Sequence, residues 1–498
     1  MPRRAIAVLL TVLLTLSGCT VHKVQQLPTA SVPQPLPDKE RIVGITTMKG
    51  EDVRFDTPGA TIVSGTLHGW VNKSTYSISM DQVQRLWIDK EEISTGRTIG
   101  LVAGIAIGTI VVIVGVIAAT KQSCPFVYSW DGSRYVFDAE PYGGAISRGL
   151  EKDDYSELGQ LREEDGRYKL RITNEVDETQ MTNLTELWVV DHPAGTHVVP
   201  DVQGKLHTVS APQELVSAHD AAGHDLLPWL RSTDRLIWEP PSVPDASGSL
   251  QGDIEMIFPK PTDAKQVKLI ANAATGLWGS YMIKQMVALR GRDVGKFYTA
   301  VNHSQSARKA LSDWELREQL YQLKVYVEEP TGWEVRGVLP GTGPFISKDR
   351  ILPLDVSHAQ GDQLHIRIHP PAGFWALNSF AVDYSADRPV SVQTAKPSTA
   401  QDLAGKSVLS DLIAVDGRYL AMPNIGDTAD LTFAAPARKE GVDRAVFLHS
   451  RGYYKLHLSG TGEPDKRALE AFQKVPGSAA QFAAAQYQQW QFARRQGP

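Results

Sequence analysis

The sequence is poor in cysteine and has no excess of positive charge. Its 498 residues include two cysteines, and 51 Lys and Arg against 56 Asp and Glu give a net charge of -5. This balance excludes the basic surface that is typical of nucleic-acid-binding proteins, so no nucleic-acid partner is expected. With 42% hydrophobic and 21% charged residues, the composition is that of a folded globular protein rather than a disordered one.

The N-terminus has the pattern of a secretory signal. Arg3 and Arg4 precede an apolar run that is too short to span a bilayer. The run ends in the letters LSGC, residues 16–19, which resemble the lipobox of bacterial lipoproteins. The resemblance implies that residues 1–18 are a signal peptide and that Cys19 becomes the acylated first residue of the mature chain. An ordinary signal peptide or N-terminal anchor with a chance cysteine is the alternative.

The residues around the two cysteines refine this expectation. The residue after Cys19 is Thr20 rather than Asp, and in lipoproteins this resembles sorting to the outer membrane rather than the inner one. If Cys19 carries lipid, Cys124 has no partner for an internal disulfide. Cys124 is then either a buried small apolar residue, which we favour, or a thiol near the membrane. The folded part is therefore expected to be held together by core packing alone.

Two segments follow the signal. Residues 19–39 are rich in proline, which favours an extended polyproline-like path and predicts a tether. Residues 40–95 contain several short β-rich runs, two of them joined by the turn signal Lys49-Gly50. Several strands in so short a segment predict a small β unit of the SH3-like or Sm-like kind.

Residues 98–120 are predicted to form one hydrophobic helix that associates with the membrane. The part from Gly100 to Ala119 carries no charge, and at ~1.5 Å per residue it is ~30 Å long, the thickness of a bilayer core. Gly100, Gly104 and Gly108 recur on one helix face, a spacing that lets two membrane helices pack closely. A chance run of glycines and a helix buried in protein are the alternatives. Arg97 and Lys121 flank the segment symmetrically, so its crossing and its orientation stay open.

The segment after this helix predicts the start of a β domain. In "CPFVYSWDGSRYVFD" the pair Asp131-Gly132 is a two-residue hairpin signal, and folding about it would pair Tyr128 with Tyr135. The same signal recurs at Asp165-Gly166. Strand-like runs continue to the last part of the chain, where residues 461–498 are rich in Ala and Gln and predict a helical tail.

Several of these runs resemble a module of secreted bacterial proteins. They are "CPFVYSWDGSRYVFD", "LTELWVVDHPAG" and "FLHSRGYYK", in this order along the chain. The resemblance implies one composite β unit over residues 122–460 whose two ends pair, with a sandwich-like part between them, near 251–390. The predicted fold class is therefore mainly β: a small β unit, one hydrophobic helix, and a composite β-sandwich module with a helical C-terminal tail.

Signals for catalysis and metal binding are weak. Ser306 and Lys309 fit a serine-x-x-lysine pattern, but the companion motifs of that enzyme class are missing, which favours a helix start at Ser306. His219 and His224 have the wrong spacing for a helical metal pair. His365 and its partner four positions on lie ~13 Å apart on a strand, too far for one metal. No catalytic residue, metal or cofactor is predicted, and an enzyme is less favoured than a binding protein.

Two tryptophans of the predicted sandwich are candidates for contacting a ligand. Trp333 and Trp375 lie in "TGWEVRG" and "GFWALNSF", and sandwiches of the galactose-binding kind use such residues to stack on sugars. Core packing is the competing explanation, because one buried tryptophan removes ~150–250 Å² of aromatic surface from water.

Together these features predict a membrane-anchored lipoprotein of the cell envelope that acts as a binding or scaffold protein. Its expected partners are membrane lipid and either another envelope protein or further copies of itself. The alternative is a protein that binds carbohydrate or peptidoglycan, with cell-wall glycan as the partner and hydrolysis as an extension of that role.

Overall fold

The computed structural model describes residues 20–28, 40–49, 52–56, 58–63, 65–71, 73–93, 125–234, 237–240 and 250–495. The described part is mainly β, as the sequence predicts. No helix within these ranges is long and apolar enough to cross a membrane. The predicted signal peptide and hydrophobic helix lie outside the described residues, and so do Cys19, Gly100, Gly104, Gly108 and Cys124.

The chain divides into two compact units, Met1–Val116 and Ile117–Pro498. The first unit contains two sheets, sheet A with strand order β1-β7-β2-β3 and sheet B with order β4-β5-β6, and a 3-10 turn at Met80–Gln82. Its strands are β1 (Thr20–Pro28), β2 (Glu40–Thr47), β3 (Asp52–Arg54), β4 (Thr61–Val63), β5 (Thr66–Val71), β6 (Ser74–Ser79) and β7 (Val83–Ile93).

The first unit has its own core, and its first strand occupies residues 20–28 of the tether that the sequence predicts, whose remainder, 29–39, lies outside the described residues. Strand β1 pairs antiparallel with β7 over its whole length, so residues 20–28 belong to sheet A. Residues 20–28 form a strand rather than an extended tether because their backbone hydrogen bonds to β7. Composition alone does not predict such a long-range partner. The buried side chains of both sheets form one cluster: Ile42, Ile45, Phe55, Ala60, Leu67, Val83, Leu86 and Ile88.

The second unit contains the remaining described elements. Its strands are β8 (Phe126–Trp130), β9 (Tyr135–Ala139), β10 (Lys152–Glu157), β11 (Arg167–Thr173), β12 (Glu178–Pro193), β13 (His197–Pro200), β14 (Leu206–Val209), β15 (Gln213–Glu214), β16 (Ser217–Asp220), β17 (Ile254–Pro259), β18 (Gln266–Thr275), β19 (Gln322–Glu329), β20 (Gly332–Pro340), β21 (Lys348–Asp355), β22 (Gln363–Ile368), β23 (Trp375–Asp383), β24 (Ser391–Ala395), β25 (Pro397–Asp402), β26 (Leu420–Met422), β27 (Thr428–Ala434) and β28 (Val442–Leu456).

The helices of the second unit lie between these strands and at the end of the chain. The sequence predicts a helix that starts at Ser306 and a helical tail, but not the three helices that precede Ser304. The predicted helix begins at Gln305 instead, because the Ser304 hydroxyl caps it by accepting from the Ala307 backbone N–H. The helices are α1 (Leu227–Leu230), α2 (Leu277–Ala288), α3 (Val294–His303), α4 (Gln305–Glu318), α5 (Lys466–Lys474) and α6 (Ser478–Arg495), with 3-10 turns at Arg148–Leu150, Gly291–Asp293 and Leu409–Asp411.

Sheets C and D enclose the first core of this unit. Sheet C has strand order β25-β27-β11-β8-β9, and sheet D has order β10-β28-β12-β24 with β26 beside β12. Strands β12 and β28 pair antiparallel from Glu178↔Leu456 to Pro193↔Val442. Two segments far apart in the sequence are thus neighbours in one sheet. The side chains buried between the two sheets include Leu170, Leu187, Leu431 and Leu448.

Sheets F and G form a second core between residues 213 and 383. Sheet F has order β15-β23-β18-β21 and sheet G has order β16-β17-β22-β19-β20. The sequence placed the start of this part near residue 251, but β15 and β16 already pair with β23 and β17. This part of the fold therefore begins at β15, because its first two strands pair with strands that follow much later in the sequence. The two sheets contribute jointly to one cluster, which includes Met256, Leu269, Val325, Leu352, Ile366 and Phe380.

The first hairpin of the unit has a different register from the predicted one. Tyr128 pairs with Phe137 rather than with Tyr135, and Trp130 pairs with Tyr135. The cause is the side chain of Asp131, whose Oδ1 accepts hydrogen bonds from the backbone N–H groups at 133 (2.8 Å) and 134 (2.9 Å). This local bonding widens the loop beyond a two-residue turn.

Candidate functional site

Strand β22 alternates between buried aliphatic and half-buried polar side chains. Because successive side chains of a strand point to opposite faces, the aliphatic set lies in the core between sheets F and G and the polar set lies on the other face of sheet G. The buried set is Leu364, Ile366 and Ile368. The opposite set is His365, Arg367 and, just beyond the strand, His369.

Arg367 is the centre of this second face. Its guanidinium carbon lies 3.9 Å from the centroid of the Trp333 ring, and its Nη2 donates to Glu255 Oε2 at 3.0 Å. In the strand register Arg367 is flanked by Glu255 on β17 and Tyr326 on β19. A guanidinium stacked on an indole contributes about 0.5–1 kcal/mol at an exposed site. The stack and the ion pair together hold Trp333 and Arg367 in a fixed arrangement.

His365 lies between two carboxylates on neighbouring strands. Its Nδ1 is 3.4 Å from Glu255 Oε1 and 3.3 Å from Glu328 Oε2. The Glu328 side chain is 51% exposed, so its carboxylate is accessible to a ligand. The site therefore presents a histidine that lies between two acids.

His369 closes the other end of the face. Its Nδ1 hydrogen bonds to Asp253 Oδ1, and its ring meets Tyr326 edge to face, with the centroids 4.9 Å apart. Burial and the nearby Asp253 carboxylate raise the pKa of the Tyr326 hydroxyl above its usual value, so it stays a neutral hydrogen-bonding group. The name outer face is used below for Asp253, Glu255, Tyr326, Glu328, Trp333, His365, Arg367 and His369.

A cleft adjoins the outer face and shares two residues with it. Its volume is about 310 Å³, and Glu328 and His365 form the border with the outer face. The remaining wall brings in two further acids, Asp362 and Glu329, of which Glu329 is paired with Arg336, and amide side chains that can donate and accept hydrogen bonds. The name acidic cleft is used for the complete lining: Glu328, Glu329, Pro330, Gln360, Gly361, Asp362, Gln363 and His365.

The two tryptophans proposed from the sequence have different environments. Trp333 lies half-buried on the outer face, where one side of its ring is covered by Arg367. Trp375 is 1% exposed, belongs to the core between sheets F and G, and donates from Nε1 to the Gln319 carbonyl at 3.0 Å. Trp375 is therefore inaccessible to a ligand in this structure, and its role is packing.

The weak catalytic and metal patterns are accounted for by local contacts. Lys309 pairs with Asp313 at 2.6 Å, while the Ser306 hydroxyl bonds to that of Ser304, 2.8 Å away. His224 bonds to Asp220 within an exposed turn. Within the described ranges, no group of three or more His, Cys, Asp or Glu side chains is arranged to hold a metal ion.

Sequence reasoning missed Arg367, Glu255, Glu328 and Tyr326. A signal for Arg367 was present, since "QLHIRIHP" alternates apolar and charged residues over the whole strand and so predicts a polar face. The partners on β17 and β19 carry no such signal. They reach the site through strand pairing. Glu255 and Arg367, for example, are more than a hundred positions apart in the sequence.

A second polar cluster lies on sheet D. His449 donates from Nδ1 to Glu186 Oε1 (2.9 Å) and from Nε2 to Asp153 Oδ1 (3.0 Å), and its ring stacks on Tyr155 with the centroids 4.8 Å apart. Both ring nitrogens donate, which requires the protonated imidazolium. Burial alone would lower the pKa of His449, but the hydrogen bonds to the two carboxylates outweigh it and raise the pKa. The cluster therefore links three strands through one positive charge.

No known protein family and no curated protein matches the chain. Among solved structures it is similar to a beta-porphyranase of glycoside hydrolase family 86 from the human gut bacterium Bacteroides plebeius, with 8% identity, a TM-score of 0.14, and coverage of 48% of this chain and 37% of that one. It is also similar to a fucolectin from striped bass (Morone saxatilis) serum, with 8% identity, a TM-score of 0.14, and coverage of 54% and 98%. TM-scores this low do not indicate a common fold.

Proposed function

We propose that the chain is a lipid-anchored protein of the bacterial cell envelope that acts by binding another envelope protein, with the outer face as its binding surface. The observation that carries the binding role is the Trp333–Arg367 stack on a half-exposed sheet face. Trp, Tyr and Arg are the residue types that contribute most binding energy at protein interfaces, and Tyr326 lies beside Arg367 in the register.

The anchoring part of the proposal rests on the sequence. The LSGC ending of the apolar run makes Cys19 the acylated residue, and Thr20 favours the outer membrane over the inner one. The predicted hydrophobic helix adds a second contact with lipid, and Gly100, Gly104 and Gly108 would let it pack closely against another helix. In the same proposal, the first unit is a small SH3-like or Sm-like barrel, and sheets F and G are a β sandwich.

Glycan binding is the second candidate, and one observation favours it. Glu255 and Glu328 both approach His365 Nδ1, and Trp333 lies on the same face. An aromatic ring beside carboxylates can stack on a sugar ring and accept hydrogen bonds from its hydroxyls. Two acids close together are also the minimum for hydrolysis of a glycosidic bond, so hydrolysis is a natural extension of this candidate.

Cross-linking in native membranes tests the main proposal. The wild type and Trp333→Ala are cross-linked, and the adducts are identified by mass spectrometry, with Trp70→Ala as the control because Trp70 is an exposed tryptophan of the first unit. We expect a discrete protein adduct that Trp333→Ala loses and Trp70→Ala keeps. Cys19→Ala should release the protein from the membrane fraction.

Three results would count against the proposal. One is a protein without any adduct, and another is an adduct that survives Trp333→Ala unchanged. The third is a Cys19→Ala variant that stays membrane-bound as firmly as the wild type. Retention of the wild type on purified cell wall, lost in Trp333→Ala, would instead favour the glycan candidate.

A further inference from the structure

We propose that the outer face and the acidic cleft dock a basic, extended segment of a protein, with a lysine or arginine side chain entering the cleft. The inference deepens the proposed binding function and rests on it. The charge of the site, its shape and the apolar residues beside it each point to this class of partner.

The charge of the outer face is negative. Asp253, Glu255 and Glu328 supply three carboxylates, while Arg367 is its one residue with a permanent positive charge. Arg367 is already engaged, because its guanidinium contacts Glu255 and covers one side of Trp333. The excess charge is therefore carboxylate charge that a cationic partner would neutralise.

The acidic cleft has the size and lining for one basic side chain. Its volume of about 310 Å³ exceeds what a single lysine or arginine side chain fills, which leaves room for the stem and for water. Glu328 and Asp362 offer carboxylates to the charged head, and Gln360 and Gln363 offer amide oxygens. The Glu328 side chain is 51% exposed and Asp362 is exposed as well, so both carboxylates are accessible to a cation.

Apolar contact is available directly beside the acids. Val335 is 47% exposed and lies opposite Tyr326 in the strand register, while Trp333 lies opposite Glu328. Extended chains place successive side chains on alternating sides. A segment that combines apolar and basic residues can therefore rest on Val335 and Trp333 while it places a basic side chain in the cleft.

Charge also argues against the other occupants. A second copy of the chain would bring the same acidic face and a net charge of -5, so symmetric docking would place like charges together. Anionic lipid would be repelled for the same reason. A neutral glycan would use the carboxylates only as hydrogen-bond acceptors and would leave their excess charge unpaired, so its binding would not depend on salt.

Titration calorimetry with the full-length mature protein tests the inference. The probe is a short peptide that alternates lysine and threonine, and the matched peptides replace lysine by glutamate or by acetyl-lysine. The variant Glu328→Gln/Asp362→Asn removes two charges from the cleft. The control Glu163→Gln/Glu440→Gln removes two exposed charges from elsewhere and changes the net charge equally.

We expect the lysine peptide to bind and the two matched peptides to fail to bind. The cleft variant should lose about tenfold or more in affinity, as expected for removal of charged partners at an interface, and the control should match the wild type. Affinity should also fall as salt rises. Arg367→Gln, which removes the competing cation, should not weaken binding of the basic peptide more than Trp333→Ala does.

The inference is overturned if the lysine peptide does not bind, or if the cleft variant and the control lose affinity equally. A neutral cell-wall oligosaccharide that binds through Trp333 without salt dependence would also overturn it. In either case a protein adduct in native membranes that requires Trp333 would leave the proposed function intact. Absence of any Trp333-dependent adduct in membranes would reject the proposed function itself, whatever the peptide does.

Discussion

Asp191 and Arg444 form a buried bidentate ion pair between strands β12 and β28. Nε donates to Oδ1 at 2.6 Å and Nη2 to Oδ2 at 3.1 Å, and both side chains are almost fully buried. The guanidinium also donates to the carbonyls of Pro436 and Ala437. The pair thus joins the long central ladder of sheet D to the loop that precedes β28.

Loss of one partner of this pair should be costly. We expect Arg444→Met to lower the free energy of unfolding by about 3–5 kcal/mol, because it leaves the Asp191 carboxylate buried without its counter-charge. Asp191→Leu/Arg444→Met should recover much of this loss. Arg171→Met is the matched control, since the similar Arg171–Asp430 pair is exposed and should contribute less than about 1 kcal/mol. Unfolding in guanidinium chloride measures the free energy of unfolding of the three variants. Equal losses for Arg444→Met and Arg171→Met would contradict the prediction.

Gly452 is required by the close approach of two strands and one ring. A Cβ at this position would lie 2.5 Å from the Met181 carbonyl oxygen and 2.8 Å from the ring of Tyr142. Tyr142 is fully buried, has a left-handed φ of 44°, and bonds through its hydroxyl to Thr182 Oγ1 at 2.7 Å. The ring therefore has little freedom to move away.

We expect Gly452→Ala to destabilise the protein by roughly 1–3 kcal/mol through overpacking. Gly159→Ala is the control, because a Cβ at that position meets nothing within 4 Å. Thermal unfolding of both variants gives the comparison. A melting temperature of Gly452→Ala that equals that of the control would show that the strands can separate without cost.

The raised pKa of His449 predicts a stability that depends on pH. The folded state binds the proton more tightly than the unfolded chain, whose histidine titrates near the ordinary value of 6.5. The stability that protonated His449 contributes is therefore complete below pH 6.5 and is lost as the pH rises through the folded-state pKa of His449. We expect the difference in unfolding free energy between the wild type and His449→Gln to shrink as the pH is raised from 6.5. Urea unfolding over a pH series measures it, and a difference that grows with pH would refute the assignment of the imidazolium.

Trp333 and Trp375 should separate binding from stability. Trp375→Ala removes a fully buried ring and should cost about 3–5 kcal/mol. Trp333→Ala loses the stack with Arg367, which is worth about 0.5–1 kcal/mol, and should leave the fold intact while it abolishes the membrane adduct. Chemical unfolding and cross-linking are measured on both variants. A Trp333→Ala variant as unstable as Trp375→Ala would assign Trp333 to the core.

Local chemistry explains what could be predicted of the fold. Asp165-Gly166 forms the predicted two-residue turn, with both residues at positive φ (51° and 70°) and reciprocal hydrogen bonds between the backbones of Glu164 and Arg167. Asp131-Gly132 carries the same letters, yet the Asp131 carboxylate bonds to the next backbone N–H groups and shifts the register. Side-chain bonding of this kind is not specified by the pair of letters alone.

Long-range pairing explains what could not be predicted. Nothing in the residues of β12 specifies that Asp191 will lie opposite Arg444 in β28. The same holds for the site, where alternation along β22 predicts that Arg367 faces away from the core, whereas Glu255 becomes its partner only through sheet assembly. Trp333 and Trp375 could not be distinguished from the sequence either. Both have similar neighbours near the start of a strand, a glycine before one and a phenylalanine before the other. Only the assembly of the sheets determines which of the two rings is buried.

The register of β1 against β7 has a consequence for the distance between protein and bilayer. Thr20 lies opposite Ile93 at one end of the ladder, and Pro28 lies opposite Arg85 at the other. If Cys19 is acylated as proposed, the lipid and the exit toward residue 100 are attached at the same end of sheet A. Strand β1 has 9 residues, and at ~3.4 Å per residue the ladder is ~30 Å long. The first unit would then be attached to the bilayer by one end of a paired ladder, and the position of that end would be set by strand pairing rather than by the extension of a flexible linker.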